Sequence, residues 1–567
     1  MLAHGRKYLK IGPYGLAASG VIVVAVCIRV ILLRMGWPAT NSDEATMGLM
    51  ARHIAYNGEH PVFIYGQNYM GSLEAYIGAA LFFIFGSSLF SLRLSLVLLY
   101  ALFLVAMYLL TRLLYSEKLA LAVTVLFSLG SVELLTRQLK AVGGAVETML
   151  FGTLLILLSS QLVLSFHQNM TTAGRKKRWL LYGCFGLVTG LGMWSHMLIL
   201  PFVVVSLALL IFFCCQELRI SKFASFLLGF ILGFSPALSF NIRHPAQNSL
   251  GALWQLHNSG GTATTIPFTL WDSIRGTVLV SLPMATGVSP QCPVPDTPGV
   301  WRTHITSCML TQSLWSVGFL LLYMFVLLGT VYDLVKYYQR TRATAVSDEE
   351  RRIMMYNAAR LTLLLGGGLT LLAYVFSPAP ALVPLTSTRY LVGLLIMFPA
   401  LLSPLWKSVR QLQVALMKQS TQRSYFALMG NICRGVVLLL LYGIYFMVLV
   451  GVFQQVPATQ ATNQQQYKMV DDLLHAHITR FYSDYWTCNR VIFQSNEQLI
   501  CSVLNEKLQS QDNRYPRYQT IVEHYAQTAY VFPINSSQAI TMAHQVAQSG
   551  QRYERVEMDG YVIYKPV

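Results

Sequence analysis

The chain has 567 residues, 54% of them hydrophobic and 11% charged, with a mean hydropathy of +0.50. This composition excludes a water-soluble globular protein of such length and makes lipid the solvent for most of the chain. The net charge of +17 does not point to nucleic acid, because the basic residues stand in short clusters between apolar runs, where they act as topology signals.

The first apolar run, Tyr14 to Leu33, is too long for a signal-peptide core and lacks a small-residue cleavage site, so it is expected to stay as an anchor. Runs near the roughly 20 residues needed to cross about 30 Å of hydrocarbon recur as far as Val436 to Phe453. The pattern predicts an α-helical polytopic membrane protein with about eleven spans. They lie near 14–34, 91–114, 118–136, 144–166, 179–197, 199–216, 223–241, 312–335, 358–377, 388–405 and 435–454. Gly71 to Gly86 is short for a span and contains Glu74, so it reads as an interfacial or re-entrant helix.

Basic clusters at Arg6, Lys7 and Lys10, Arg112 and Lys118, Arg175 to Arg178, Arg219 and Lys222, Lys336 to Arg352, and Lys407 to Arg434 all fall on one side if 71–86 does not cross. That side is cytoplasmic by the positive-inside rule. The outer face then receives Gly36 to Phe90, Arg137 to Gly144, Asn241 to Thr311 and Ser377 to Arg389. The opposite assignment, with 71–86 spanning, puts the Arg175 to Arg178 run outside.

From about Gln454 the sequence turns polar, which predicts two domains: a membrane part over 1–454 and a small extracytoplasmic α/β domain over 455–567. Within the latter the patterning predicts a helix at Met469 to His477. Extended segments are predicted at Arg480 to Tyr485, Arg490 to Phe493, Leu499 to Val503 and Ala529 to Pro533, then a helix at Gln538 to Ser549 and a hairpin at Asp559-Gly560.

The nine cysteines show no metal-site spacing, so no metal centre is expected from them; Cys27, Cys184, Cys214 and Cys215 read as small hydrophobes in apolar runs. Cys292 with Cys308, and Cys488 with Cys501, are either disulfides in an oxidising compartment or free buried thiols.

The chemistry-bearing residues gather at the expected outer face. Asp43 and Glu44 stand a few residues beyond the first span; a partly desolvated carboxylate whose neighbour also carries charge suits a general base near neutral pH. The bland alternative is two acids at a helix N-terminus, stabilised by its dipole. The stretch Tyr65-Gly66-Gln67-Asn68-Tyr69-Met70-Gly71-Ser72-Leu73-Glu74 offers aromatic faces with hydrogen-bonding tips, so Tyr65, Gln67, Tyr69 and Glu74 are substrate-binding candidates. Glu133 and Glu147 sit at membrane depth, each either paired with Arg137 or Lys140 or lining a polar cavity. His196 could contact donor or acceptor, or serve in an aromatic belt beside Trp194; Asn241, Arg243 and Pro245 read as polar helix ends.

The Asp43-Glu44-Ala45 stretch, the run from Tyr65 to Tyr76, Trp194-Ser195-His196 and Thr388-Arg389-Tyr390-Leu391 together resemble the GT-C glycosyltransferases. Within them the chain is most similar to the protein O-mannosyltransferase and aminoarabinose-transferase relatives grouped as family 39, over about residues 14 to 454. The resemblance implies a transferase that takes a sugar from a polyprenyl-phosphate carrier to an extracytoplasmic acceptor, usually with inversion, in a bacterial inner membrane. It implies Asp43 as the base, with Glu44 positioning the acceptor or supporting Asp43. The leaving phosphate needs a cation, for which Arg389 comes first and Arg137 and Lys140 second. Arg389 as a snorkelling anchor is the plain alternative. The second acidic motif of such enzymes is missing, since no DxD occurs in the Arg137 loop, so a divalent cation stays an open cofactor.

A transporter or lipid flippase would predict inverted repeats and broken helix pairs at mid-membrane, which the sequence does not show. A non-catalytic envelope-assembly scaffold is the third reading.

Overall fold

The computed structural model describes residues 12–166, 172–217, 221–259, 266–287, 292–295, 297–343, 348–407, 425–549 and 552–567. The basic residues Arg6, Lys7, Lys10 and Arg219 lie outside the described residues, as do parts of the expected loops at 241–311, 336–352 and 407–434.

The helices run in chain order as α1 (Pro13–Arg34), α2 (Ser42–Asn57), α3 (Leu73–Phe85), α4 (Leu89–Leu114), α5 (Glu117–Ser128), α6 (Val132–Leu139), α7 (Ala145–Leu164) and α8 (Thr172–Ser195). They continue as α9 (Leu200–Cys214), α10 (Ser221–Arg243), α11 (Ser249–Ser259), α12 (Leu270–Gly276), α13 (Leu282–Thr286), α14 (Ser307–Ala343), α15 (Asp348–Val375), α16 (Ala379–Leu382), α17 (Thr386–Lys407) and α18 (Tyr425–His475). Among the described residues nine helices are long and apolar enough to cross a membrane, or ten if the bent pair α5 and α6 counts as one.

Those ten correspond to ten of the eleven expected spans. The eleventh, at 179–197, lies in α8, which opens with Arg175, Lys176, Lys177 and Arg178 and then alternates glycine with apolar residues, so its hydropathy stays low. Its glycines have a packing reason: a Cβ at Gly186 would stand 2.0 Å from the Phe226 carbonyl oxygen and one at Gly190 2.4 Å from that of Phe230, so α8 and α10 touch backbone to backbone. The expected single span at 118–136 is broken, with α5 and α6 meeting at 82°. Gly130 takes φ +126° at the break and the Ser131 hydroxyl caps α6 by accepting from the Leu134 N–H at 3.1 Å.

The chain divides into two compact units. The first comprises Met1–Ile28, Leu99–Arg137 and Gly144–Val452; the second comprises Arg29–Leu98, Gln138–Gly143 and Phe453–Val567. The first unit is helical, with aromatic packing of Phe127 on Phe103 and on Phe398 in its interior. It also carries the Cys292–Cys308 disulfide.

The second unit joins α2 and α3 to an α/β domain. Strands β1 (Arg480–Ser483), β2 (Ile500–Val503), β3 (Ala529–Pro533), β4 (Tyr553–Met558) and β5 (Tyr561–Pro566) form one sheet in the order β2-β1-β3-β5-β4. β1 pairs parallel with β2 and β3, and the hairpin at Asp559-Gly560 makes β4 and β5 antiparallel, as expected for an Asp-Gly turn. The helices α19 (Tyr485–Gln494), α20 (Pro516–Glu523) and α21 (Ser537–Ser549) complete it. The expected strand at Arg490 to Phe493 is instead the end of α19: the Asp484 carboxylate caps the N–H groups of Trp486 and Thr487 at 2.8 and 3.2 Å, and Cys488, Val491 and Ile492 recur at helical spacing on the buried face. Cys488 and Cys501 form a disulfide.

The helix α3 has 13 residues, about 20 Å at 1.5 Å per residue, too short to span a bilayer, in keeping with the interfacial or re-entrant expectation for 71–86.

Candidate active site

The helix α2 begins at Ser42 because the Asn41 side chain accepts from the Glu44 N–H at 3.1 Å, and it ends at Gly58 in the left-handed conformation. Its first turn therefore presents Asp43 and Glu44 about 100° apart around the helix. Within one peptide bond of each other, the two carboxylates meet opposite environments.

Asp43 is 32% exposed. Its Oδ1 accepts from the Tyr485 hydroxyl, and Arg514 Nη2 stands 3.7 Å from the same oxygen. Oδ2 makes no hydrogen bond to protein among the described residues. Arg514 in turn donates through Nε to the Tyr485 hydroxyl at 3.1 Å, stacks its guanidinium 5.5 Å over that ring, and reaches the Gly66 carbonyl at 3.4 Å. With its amide oxygen toward Arg514, Gln67 accepts from Nη1 and Nη2 at 3.0 and 3.2 Å. Tyr69 adds to the same electrostatic environment. Gly66 is required here: it takes φ +72°, and a Cβ would lie 2.8 Å from Arg514 Cδ.

Glu44 is wholly buried. Arg93, also buried, donates to its two oxygens through Nε at 2.8 Å and Nη2 at 2.6 Å, and the Ala141 N–H donates at 2.9 Å. Burial alone would raise the Glu44 pKa, but Arg93, Lys140 and the Ala141 N–H outweigh it and hold the carboxyl below its ordinary value. For Glu44 this corrects the expectation that the charge beside it makes ionisation harder. Both Glu44 oxygens are thus taken up by protein donors.

Glu74, expected to bind substrate, is likewise buried and accepts from the Gly143 N–H at 3.0 Å. Arg29 holds Gln138 at 2.9 and 3.2 Å. Three contacts from α1, α2 and α3 thus pin the segment Gln138–Gly143.

Tyr65 belongs to a second polar cluster rather than to the Asp43 network. Its hydroxyl donates to Glu59 at 2.5 Å and meets His53 Nδ1 at 3.0 Å, while Tyr515 donates to Glu59 at 2.7 Å. His53 Nε2 faces Glu497 at 3.2 Å, and Tyr518 donates to the same carboxylate at 2.9 Å. The His53 hydrogen bond draws the Glu497 pKa down to about 2, against burial, helped by Tyr518 and Arg52. A carboxyl with a depressed folded pKa stabilises fully above its unfolded value of about 4.3 and loses that contribution as pH falls through about 2. Near-ultraviolet circular dichroism should therefore show the α/β domain loosening between about pH 4 and pH 2. Glu497→Gln should remove that part of the pH dependence, and an unchanged profile would refute the assignment.

In the first unit, Arg389 is exposed, places its guanidinium 5.2 Å over the Tyr390 ring and donates to that hydroxyl at 3.3 Å. It lies within electrostatic reach of His196. His196 is nearly buried, accepts from the Leu198 N–H at 3.1 Å and packs on Gly144 so closely that a Cβ there would lie 2.2 Å from its ring. Glu147, on the first turn of α7, is buried. Arg137 is held by Glu133 at 2.7 Å, one of the pairings expected for these acids. Lys140 is half-buried in the field of Glu44.

Tyr485, Arg514, His53, Glu497, Tyr515 and Tyr518 were not singled out from the sequence. The one local signal was the basic and aromatic run Arg514-Tyr515-Pro516-Arg517-Tyr518.

Among the described residues no group of three His, Cys, Asp or Glu side chains could hold a metal ion. The donor set at Asp43 also fits a divalent cation poorly, since Arg514 already supplies a positive charge beside Oδ1.

The fold is that of the GT-C membrane glycosyltransferases, and the chain is an integral membrane protein. Of the solved structures that share the fold, ArnT from Cupriavidus metallidurans bound to undecaprenyl phosphate matches with a TM-score of 0.55 at 11% identity, over 97% of this chain and 98% of that one. The archaeal oligosaccharyltransferase AglB from Archaeoglobus fulgidus, in complex with an inhibitory peptide and a dolichol-phosphate, matches with a TM-score of 0.52 at 14% identity, over 97% and 74%. No known family model matches the chain, and no curated protein matches it in sequence.

Proposed function

We propose that this chain is a glycosyltransferase that moves a sugar from a polyprenyl-phosphate carrier onto an extracytoplasmic acceptor. The observation that carries the reading is Asp43, a half-open carboxylate with Oδ1 held by Tyr485 and Arg514 and Oδ2 meeting no protein donor among the described residues, in a chain with the GT-C fold. Fold neighbours that hold undecaprenyl phosphate and dolichol-phosphate support the carrier class.

In this mechanism Oδ2 of Asp43 takes the proton of the acceptor hydroxyl as that oxygen attacks the anomeric carbon. The bond from that carbon to the phosphate oxygen breaks, and the carrier leaves as polyprenyl phosphate with the electron pair, inverting the centre. Tyr485 and Arg514 orient Asp43, and Glu44 is a positioning residue. Arg389 is our choice for the departing phosphate, because its guanidinium is exposed beside the Tyr390 ring and carries the positive charge that the leaving oxyanion needs. Arg137 and Lys140 come second, since Glu133 and Glu44 already draw on their charge. Gln67 and Tyr69 line the acceptor side, while Tyr65, Glu74, Glu147 and His196 act indirectly.

We assign residues 1–454 to the catalytic membrane part and 455–567 to an extracytoplasmic domain, in a bacterial inner membrane with the N-terminus cytoplasmic. Disulfides in the Asn241 to Thr311 stretch and in the α/β domain support that sidedness.

The test is transfer of radiolabelled sugar from a panel of polyprenyl-phosphate sugars by purified protein. Wild type should consume one donor, and Arg389→Ala should transfer about tenfold to a hundredfold less, as expected on losing a charge-assisted hydrogen bond of about 1.5–3 kcal/mol. If no donor is consumed, the enzyme reading fails. A fully active Arg389→Ala removes that residue from the phosphate site.

Tyr485→Phe should cost about tenfold in kcat, because it removes the hydrogen bond to Asp43 but leaves the ring under Arg514. A KM change alone would argue against an orienting role.

A further inference from the structure

Thr386–Met397, the first 12 residues of α17, wind as a 3-10 helix rather than an α-helix, and Arg389 is the fourth of them. A run of that length is uncommon, because hydrogen bonds to the carbonyl three residues back are poorer than α-helical ones, and it marks a segment held under constraint. Local chemistry shows the constraint. The Pro384 carbonyl, which would accept from the Thr388 N–H in an α-helix, is taken by the Thr388 hydroxyl at 3.0 Å and the Ser281 hydroxyl at 2.8 Å. The Thr388 N–H turns instead to the Leu385 carbonyl, 3.4 Å away.

A buried network aims the Ser281 hydroxyl at that carbonyl. Ser281 ends the π-helical turn Thr277–Ser281, between α12 and α13, and accepts at 2.7 Å from the hydroxyl of Tyr374 on α15. The same Tyr374 hydroxyl meets Ser387 Oγ at 2.7 Å, so one side chain ties the π turn to the start of α17. Tyr374, Ser281 and Ser387 are all buried. The far end is fixed by packing. A Cβ at Gly152 of α7 would lie 2.6 Å from Ile396 Cδ1, and one at Gly367 of α15 2.3 Å from Met397 Sδ. Those glycines seat Ile396 and Met397, so the segment is stretched between two clamps.

The winding decides where Arg389 stands. From Met397 back to Arg389 a 3-10 helix reaches about 16 Å along its axis and an α-helix about 12 Å, with bearings that differ by about 160°. As wound, Thr386 and Arg389 share an exposed face at the spacing of one 3-10 turn, while Ser387 and Thr388 between them are buried. A shift of about 4 Å exceeds what a charge-assisted hydrogen bond tolerates, so a guanidinium moved that far leaves its anion.

We propose that Tyr374 is a positioning residue for the carrier phosphate, acting through Arg389. Its hydroxyl, with those of Ser281 and Ser387, holds the start of α17 in the longer winding and keeps the guanidinium where the phosphate arrives. Without that hydroxyl the segment shortens toward an α-helix and Arg389 is drawn away. This role rests on the assignment of Arg389 to the departing phosphate.

The test is a double-variant cycle read as binding rather than turnover. Full-length protein in detergent is titrated with undecaprenyl phosphate and, as the uncharged control, with undecaprenol. Bound lipid is read by native mass spectrometry beside a melting curve. Arg389→Ala should bind undecaprenyl phosphate about tenfold to a hundredfold more weakly than wild type, and Tyr374→Phe about tenfold more weakly, with undecaprenol binding unchanged in both. Combined with Arg389→Ala, Tyr374→Phe should cost nothing further, because its effect passes through the guanidinium. Ser387→Ala should repeat the pattern, and it decides the matter should Tyr374→Phe not fold. Three results for Tyr374→Phe overturn the positioning role while leaving Arg389 at the phosphate: binding as in wild type, an equal loss of undecaprenol, or a loss that adds in full to that of Arg389→Ala. Wild type that does not prefer undecaprenyl phosphate to undecaprenol, or an Arg389→Ala protein that binds as wild type does, overturns the phosphate assignment itself and the positioning role with it.

Discussion

Asp43→Asn should reduce sugar transfer by about 10²- to 10⁴-fold, the range a positioned general base contributes, while leaving the thermal unfolding midpoint nearly unchanged. The substitution is close to isosteric, and an asparagine Oδ1 still accepts from Tyr485 and Arg514. What disappears is the basic oxygen that would take the acceptor's proton. The structural cost is limited to one favourable charge at the N-terminus of α2, about 0.3–1 kcal/mol. Initial rates with whichever donor of the panel wild type consumes, beside a melting curve, separate the two effects. An Asp43→Asn protein as active as wild type would end the role of Asp43 as base, and an inactive one that no longer melts cooperatively would show that its role is structural.

Glu44→Ala should do the reverse and act first on stability. It strands Arg93, which is 1% exposed, and deprives the Ala141 N–H of its acceptor. Breaking a buried pair by removing one partner costs about 3–5 kcal/mol, because the remaining charge has neither water nor counter-ion. Glu44→Ala should therefore unfold at markedly lower temperature, and the double variant Glu44→Ala, Arg93→Met should recover part of the loss. Single and double variants of equal stability would show that the pair is not coupled. Adjacent residues of the same chemical type would then be separated by experiment into one that bears on rate and one that bears on stability.

That separation also measures what could be read beforehand. The membrane character and most spans follow from run length and hydropathy, which are local properties. The break at Gly130 and the close pairing of α8 with α10 depend on φ and on backbone approach, which hydropathy does not encode. Asp43 was visible because of its place after the first span. Its partners were not, since Tyr485 and Arg514 lie more than 400 residues further along the chain and ordinary composition surrounds them. The burial of Glu44 is not legible in a pair of neighbouring acids, because it depends on the pitch of α2, which sends one of them inward to an arginine on α4. Tyr65 was grouped with Gln67 by proximity in sequence, yet the turn at Gly66 sends them into different clusters.

The unit that holds Asp43 is assembled from Arg29–Leu98, Gln138–Gly143 and Phe453–Val567. During synthesis its first two pieces emerge long before the third. Asp43 therefore waits through more than three hundred residues of translation and membrane insertion before Tyr485 and Arg514 exist to orient it. A ribosome-bound chain stalled ahead of residue 485 would carry the carboxylate without the hydroxyl and guanidinium that meet it in the finished fold.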